Sequence, residues 1–293
     1  VPKLKFRLTV LTMRFVAALP WSWLRALGQF LGWIFWRFDT REKLVTATNI
    51  ALCLPELDAA ARDELTRASL VDFGLMAFEL PKLWLSPSSV VEAQIRAIEG
   101  EGLMLQQLCK RRGVMVLAPH HGNWEVAGIY LAEHYGITTM YLPSQSPEIE
   151  ALVRTARSRN GAKLVPADAG GVRSLYKTLK QGGLVGVLPD QVPSQGAEFA
   201  PFFGQPALTM TLVSNLLQKT QARAIMCVAL RLPGGGFKLV FTEADDAIYA
   251  DDLQQSLAGL NRSIEAVVRV APEQYQWEYK RFKRQPPGLP PVY

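Results

Sequence analysis

Apolar and polar positions follow two different periods along this chain, and the change between them divides it. Leu8–Phe38 is rich in Leu, Phe and Trp (Trp21, Trp23, Trp33, Trp36), but Arg14, Pro20 and Arg25 interrupt the run. A membrane span needs about 20 consecutive apolar residues. Two consecutive interfacial helices therefore fit better than one tilted span, with Trp at headgroup depth and Arg reaching phosphates. A plainer alternative is an amphipathic pair that packs on the rest of the protein. The run continues as large aromatics past the apolar core of a signal peptide. Residues 1–38 are thus expected to be a membrane-anchoring helical segment, interfacial or transmembrane, and 39–293 a separate domain.

Beyond that segment, Thr40–Leu54 and Ala59–Leu80 carry helical spacing, with Pro55 and Pro81 as punctuation. From Val114 onward short β-rich runs alternate with helical ones. Strands are expected at Val114–Ala118, Ile137–Leu142, Lys163–Pro166 and Leu184–Leu188, and helices at Glu148–Arg159 and Val172–Lys180. A long loop, Gln191–Ala207, leads to a helix at Thr209–Thr220. Ala224–Leu232 and Phe237–Glu243, joined by Pro-Gly-Gly-Gly, read as a hairpin, and a helix at Asp252–Val270 closes the domain. The Pro-rich tail, Gln285–Tyr293, reads as extended. Such alternation predicts an α/β fold: a mixed, mostly parallel sheet flanked by helices.

Composition narrows the partners. A net charge of +6 with 49% hydrophobic residues suits an anionic membrane surface, an acidic protein or a phosphorylated lipid. The chain carries no zinc-finger spacing, helix-turn-helix signature or aromatic-basic ribonucleoprotein motif, so no nucleic-acid partner is expected. Its three cysteines (Cys53, Cys109, Cys227) are scattered and mostly in apolar contexts. They read as reduced residues of a cytosol-facing protein, not as a disulfide framework or a metal site.

The densest chemistry lies in Val114–Glu125, where an apolar strand breaks at Pro119 and delivers His120 and His121 before helical pattern resumes. Strand ends that feed helices are where α/β folds place their chemistry. His120 can act as a base, with Glu125 as the carboxylate that orients it and an external hydroxyl as the group activated. There is no G-x-S-x-G elbow, and the spacing His120-His121-…-Glu125 is not that of a zincin. Taken alone, the two histidines suit the capping of a helix equally well. Leu188-Pro189-Asp190-Gln191 ends another apolar strand, so Asp190 can share an edge with His120, although Asp at a turn is most often a turn-former. Phe202 and Phe203 suit the rim of an acyl channel or the core. Arg154, Arg157 and Arg159 lie along one helix, where Arg154 and Arg157 can share a face toward a phosphate; a solvated face is the alternative. Trp277–Arg284 interleaves aromatics with bases, as a patch for headgroups or an acidic carrier or as a solvated basic face.

Together these pieces resemble the bacterial lipid A biosynthesis (late) acyltransferases, the lauroyl/myristoyl type. The resemblance rests on Asn49-Ile50-Ala51-Leu52-Cys53-Leu54-Pro55-Glu56, on His120-His121-Gly122-Asn123-Trp124-Glu125 (the family's H-x4-[DE] motif) and on Leu188-Pro189-Asp190-Gln191. Pro201-Phe202-Phe203-Gly204 with Thr209, and Pro272–Trp277 followed by Lys280-Arg281-Phe282-Lys283, complete it. One departure is Tyr141-Leu142-Pro143, where many members have Tyr-Arg-Pro. The resemblance implies a cofactor-free enzyme on the cytoplasmic face of the bacterial inner membrane. It would move an acyl chain from acyl carrier protein to a hydroxyl of a phosphorylated glycolipid, the lipid A precursor. It makes His120 the general base and Glu125 its partner. Arg157, Arg159, Arg154, Asp190, Gln191, His121 and Asn123 become candidates for substrate binding, with His121 shaping the turn or the acceptor site. The alternatives are acylation of another membrane lipid alcohol (a lysolipid, ornithine lipid or glycolipid) and a catalytically silent membrane scaffold.

Overall fold

A computed structural model describes residues 2–141, 147–158 and 161–293, with backbone alone for 2–5, 147–149 and 152. Its strands are β1 (Ile95–Glu99), β2 (Val114–Leu117), β3 (Thr138–Tyr141), β4 (Lys163–Pro166), β5 (Leu184–Val187), β6 (Ala197–Phe202), β7 (Gln205–Met210), β8 (Arg223–Arg231) and β9 (Phe237–Glu243). Seven of them form one sheet in the order β1-β9-β8-β2-β5-β3-β4. β8, β2, β5, β3 and β4 run parallel, β9 returns antiparallel to β8, and β1 follows β9. This is the mixed, mostly parallel sheet that the alternation predicts.

Every residue of β2 and β5 is buried, which is why both read as unbroken apolar runs. Successive side chains still point to opposite faces. Met115 and Leu117 join a layer with Leu175 of α9 (Ala169–Lys180), Leu216 of α10 (Leu212–Thr220) and Ile264 of α11 (Leu253–Val268). Val114 and Val116 join the other layer, with Val126 and Ile129 of α7 (Trp124–Tyr135).

Two expectations change, and two further elements carry no clear sequence signal. The stretch read as a loop, Gln191–Ala207, contains the β6–β7 hairpin, and Thr209 lies inside β7 opposite Glu198 instead of opening a helix; α10 begins at Leu212. The turn between the two strands is Phe203-Gly204, both at positive φ (48° and 74°). Tight hairpins want that geometry, but Asn or Asp usually announces it at the first position, so Phe hid the signal. Pro81 does not end its helix: α4 (Ala59–Leu85) runs through it, losing one backbone bond near its end while Leu83 and Lys82 stay buried. Finally, β1 and α6 (Glu101–Cys109) were not legible; β1 is an edge strand with little burial and hence no clean alternation.

At the amino end, α1 (Pro2–Ala18) and α2 (Trp21–Arg37) are separate helices, followed by α3 (Arg41–Cys53). α2 packs backbone to backbone on α4. A Cβ at Gly32 would lie 2.3 Å from the Val71 Cα, and one at Gly74 would lie 2.2 Å from the Gly28 carbonyl oxygen. Arg25 of α2 also donates to the Leu232 and Pro233 carbonyls at 2.8 and 2.9 Å, and Lys82 to those of Ala17 and Leu19 at 2.8 and 2.6 Å. The opposite side stays bare: Leu8, Leu11 and Phe15 of α1 and Trp23, Phe30 and Trp33 of α2 are all exposed. Among the described residues no helix is long and apolar enough to cross a membrane.

Candidate active site

The site begins where β2 stops. Beyond Leu117 the chain passes Pro119 and makes a tight turn into α7, and that turn is fastened on both sides. On one side the Asn123 N–H donates to the Ala229 carbonyl of β8 at 2.8 Å. On the other, the Gly122 N–H donates to the Gln274 carbonyl at 2.8 Å, and the Gln276 N–H to the His120 carbonyl at 3.0 Å. Gly122 has a φ of 61°, and a Cβ there would fall 2.1 Å from the Ala229 oxygen, so only glycine lets the turn approach β8 this closely.

His120 meets Asp190 at this edge, as expected for two residues after parallel neighbouring strands. Nδ1 of the imidazole lies 2.8 Å from Oδ1 of Asp190, and the His120 backbone N–H donates to Oδ2 at 2.9 Å. A carboxylate can only accept, so the ring proton sits on Nδ1 and the free lone pair on Nε2. Asp190 is buried, which alone would raise its pKa, but the charge and hydrogen bonds of His120 outweigh burial and hold the carboxyl below its ordinary range. The Trp124 ring stands edge-on against the imidazole, centroids 4.7 Å apart.

This corrects the pairing read from the sequence, in which Glu125 oriented His120. Glu125 is buried in the first turn of α7, where the helix N-terminus favours a carboxylate. Its partner is Arg157, near the end of α8 (Pro147–Ser158), which bonds both Glu125 oxygens, Nε to Oε2 at 3.3 Å and Nη2 to Oε1. Burial works against the Arg157 charge, yet Glu125 keeps its pKa above the ordinary value. Arg154 is exposed and lies off the cavity wall. Arg159 lies outside the described residues, as do Leu142 and Pro143 of the Tyr-Leu-Pro departure.

The two histidines point to different places. His121 is fully buried with Nε2 2.8 Å from the Ala271 carbonyl, so it donates there, and burial pushes its pKa down to about 4. It is a neutral structural imidazole. Asn123 also turns inward and donates to Glu79 of α4 at 2.7 Å. Glu79 in turn shares Arg231, at the end of β8, with Asp72; Arg231 bonds both carboxylates at 2.7–3.2 Å. Neither His121 nor Asn123 lines the cavity, contrary to the substrate-binding expectation. This buried cluster leaves almost no trace in the sequence. Its one signal was a lone arginine ending an otherwise apolar strand.

His120, Trp124, Glu125 and Arg157 line a cavity of about 1290 Å³. Val116, Ile129, Ile137, Gly186 and Val187 give it apolar walls, and Gln191 lines it while donating to Gln276 at 2.9 Å. The cavity exceeds the roughly 300–1,000 Å³ of a drug-sized pocket. Phe202 and Phe203 are not on its rim: both are buried in the core, against each other and near Tyr275 and Trp277. In the carboxyl-terminal patch, Trp277, Glu278, Arg281 and Phe282 are buried while Lys283 and Arg284 are exposed. The tail folds back, with the Tyr293 hydroxyl on Asn49 of α3. Cys53 and Cys227 are buried, Cys109 is exposed, and all three are free thiols. Among the described residues no cluster of three or more His, Cys, Asp or Glu could hold a metal ion.

Fold and site define an α/β protein with an imidazole–carboxylate pair whose imidazole lines a large, mainly apolar cavity. The chain belongs to the bacterial lipid A biosynthesis acyltransferase family, whose model matches residues 3–284. It is an acyltransferase. It is 27% identical to the lipid A biosynthesis palmitoleoyltransferase of Escherichia coli K12 over 278 residues, covering 94% of this chain and 90% of that one. The lauroyltransferase of the same organism is 26% identical over 281 residues (95% and 91% covered), and its myristoyltransferase 24% over 272 residues (90% and 81%).

Proposed function

We propose that the protein transfers a fatty acyl chain from acyl carrier protein to a hydroxyl of a phosphorylated lipid A precursor, at the cytoplasmic face of the bacterial inner membrane. The observation that carries this reading is the His120–Asp190 pair bordering an apolar cavity of about 1290 Å³. The acceptor hydroxyl gives its proton to Nε2 of His120 as its oxygen attacks the thioester carbonyl carbon. Asp190 offsets the positive charge that develops on the ring. The tetrahedral intermediate then loses the thiolate, and His120 returns the proton to the leaving sulfur. Glu125 bonds Arg157 and positions it, and the Arg157 N–H groups offset negative charge on the former carbonyl oxygen. The thioester is already the activated group, so the step draws on no cofactor.

The bare aromatic faces of α1 and α2 support docking on a membrane surface, where an acyl acceptor resides. The relatives are named for three different acyl chains, so kinship supports the acceptor class and leaves chain length to the cavity wall. Mass spectrometry of lipid A from cells with and without the gene tests the reading. Loss of one acyl chain is expected. Unchanged lipid A, with a different membrane lipid losing a chain, would move the acceptor to that lipid.

A further inference from the structure

We propose that Lys283 and Arg284 form a phosphate-binding subsite at the mouth of the cavity, which recognises the phosphate of the glycolipid acceptor. The inference rests on the acyl-transfer reading above.

The two residues emerge from a fixed point. Arg281 is buried and donates to the Leu208 carbonyl at 2.7 Å and to the Thr209 hydroxyl at 3.2 Å. Phe282 is buried beside it, its N–H donating to the Tyr293 hydroxyl at 3.2 Å. With these two side chains locked inside, the next two come out on the cavity wall that His120 also lines. The Lys283 ammonium stands 5.0 Å from the centroid of the Tyr279 ring. That tyrosine in turn accepts the Val192 N–H at 2.9 Å, on the loop that follows Asp190. Lys283 is thereby tied to the segment that holds the base.

The charges decide the ligand class. Among the described residues, the guanidinium and ammonium groups on the cavity wall are those of Arg157, Lys283 and Arg284. Arg157 is engaged by Glu125, whereas neither Lys283 nor Arg284 has an ion-pair partner among the described residues. Two adjacent, unneutralised cations, one of them a guanidinium fork, suit a compact dianion such as a phosphate monoester. The acidic surface of a carrier protein would call for positive charge spread over a wider face. A phosphate held at the mouth would fix the acceptor lipid while its hydroxyl reaches His120.

Kinetics on the purified full chain test this, using phosphatidylcholine vesicles that carry a lipid A precursor either intact or enzymatically dephosphorylated. In Lys283→Ala/Arg284→Ala, KM for the intact acceptor should rise by about tenfold or more. Its kcat should stay within about twofold and KM for the acyl carrier protein should not move. The dephosphorylated acceptor should show a high KM in both proteins, and Lys283→Arg should keep most of the affinity. Equal KM for the two acceptors in the unaltered protein would overturn the subsite. So would a rise in KM for the carrier protein alone, which would mark the pair as a carrier-docking patch. Cosedimentation with the same vesicles separates this from failure of the transfer reading. Phosphate-dependent binding that needs both residues upholds the subsite even without turnover, and phosphate-independent binding overturns it.

Discussion

His120 and Asp190, 70 residues apart in the chain, are joined twice, through the imidazole Nδ1 at 2.8 Å and through the backbone N–H at 2.9 Å. One carboxylate thus fixes both the tautomer and the position of the ring. It does so because β2 and β5 are parallel neighbours that end together.

Asp190→Asn removes the charge and keeps the shape. Its amide can still accept from Nδ1, but it cannot offset a positive ring, and its NH2 would face the His120 N–H. We expect kcat to fall by roughly 10²–10⁴-fold with the folded structure retained. Steady-state kinetics with circular dichroism as the folding control would check this, and near-normal turnover would remove Asp190 from the mechanism.

Glu125 and Arg157 should behave as one unit. Glu125→Gln leaves a half-buried guanidinium without its carboxylate, and Arg157→Met leaves a buried carboxylate without its cation. Each single change should lower kcat by at least about tenfold. The double mutant should be little worse than the poorer single, a coupling of about 1–3 kcal/mol. Additive losses in the cycle would show that the two side chains act separately.

How far the sequence could be read follows from these two pairs. The sheet was legible because β2 and β5, buried on both faces, stand out as apolar runs. The edge between their ends pointed to Asp190 as a neighbour of His120. What misled was proximity along the chain: Glu125 is five residues from His120, but the first turn of α7 aims its carboxylate at Arg157 on α8 instead. A contact across 32 residues of chain leaves no periodic trace. The β6–β7 hairpin was hidden by its Phe-Gly turn. The Arg231–Glu79–Asp72 cluster was hidden because its members sit on elements whose patterns are otherwise ordinary.

Gly186 should help to set the acyl chain. It lies on the cavity wall, and a Cβ there would come within 2.7 Å of the Ile137 Cδ1. Gly186→Val would push the Ile137 side chain, which lines the same cavity, and so narrow the space left for an acyl chain, of which each buried methylene is worth about 0.8 kcal/mol. In a competition among acyl carrier proteins of different chain length, products from the variant should shift by about two carbons toward shorter chains. An equal loss of rate for every length would argue that the chain lies elsewhere.

Glu278 should make stability depend on pH. Burial, reinforced by Asp72 and Glu42, raises its pKa to about 8. The folded chain holds this proton, while the unfolded chain releases it near the ordinary glutamate value. The group's contribution is therefore fully present below that value and is lost as pH rises toward 8, by up to about 1.4 kcal/mol per pH unit. Urea unfolding at pH 6 and pH 8.5 should show this fall in the unaltered protein and a smaller one in Glu278→Gln, whose amide mimics the protonated acid. Parallel curves for the two proteins would show that Glu278 does not hold the proton.

The central claim is tested most directly by incubating the purified protein with acyl carrier protein bearing a labelled acyl chain and with a lipid A precursor, and weighing the products. The precursor should gain the mass of one acyl group as the carrier is deacylated, and His120→Ala should form none of this product while remaining folded. Product formed at an unchanged rate by His120→Ala, or label on another lipid with the precursor untouched, would contradict the account.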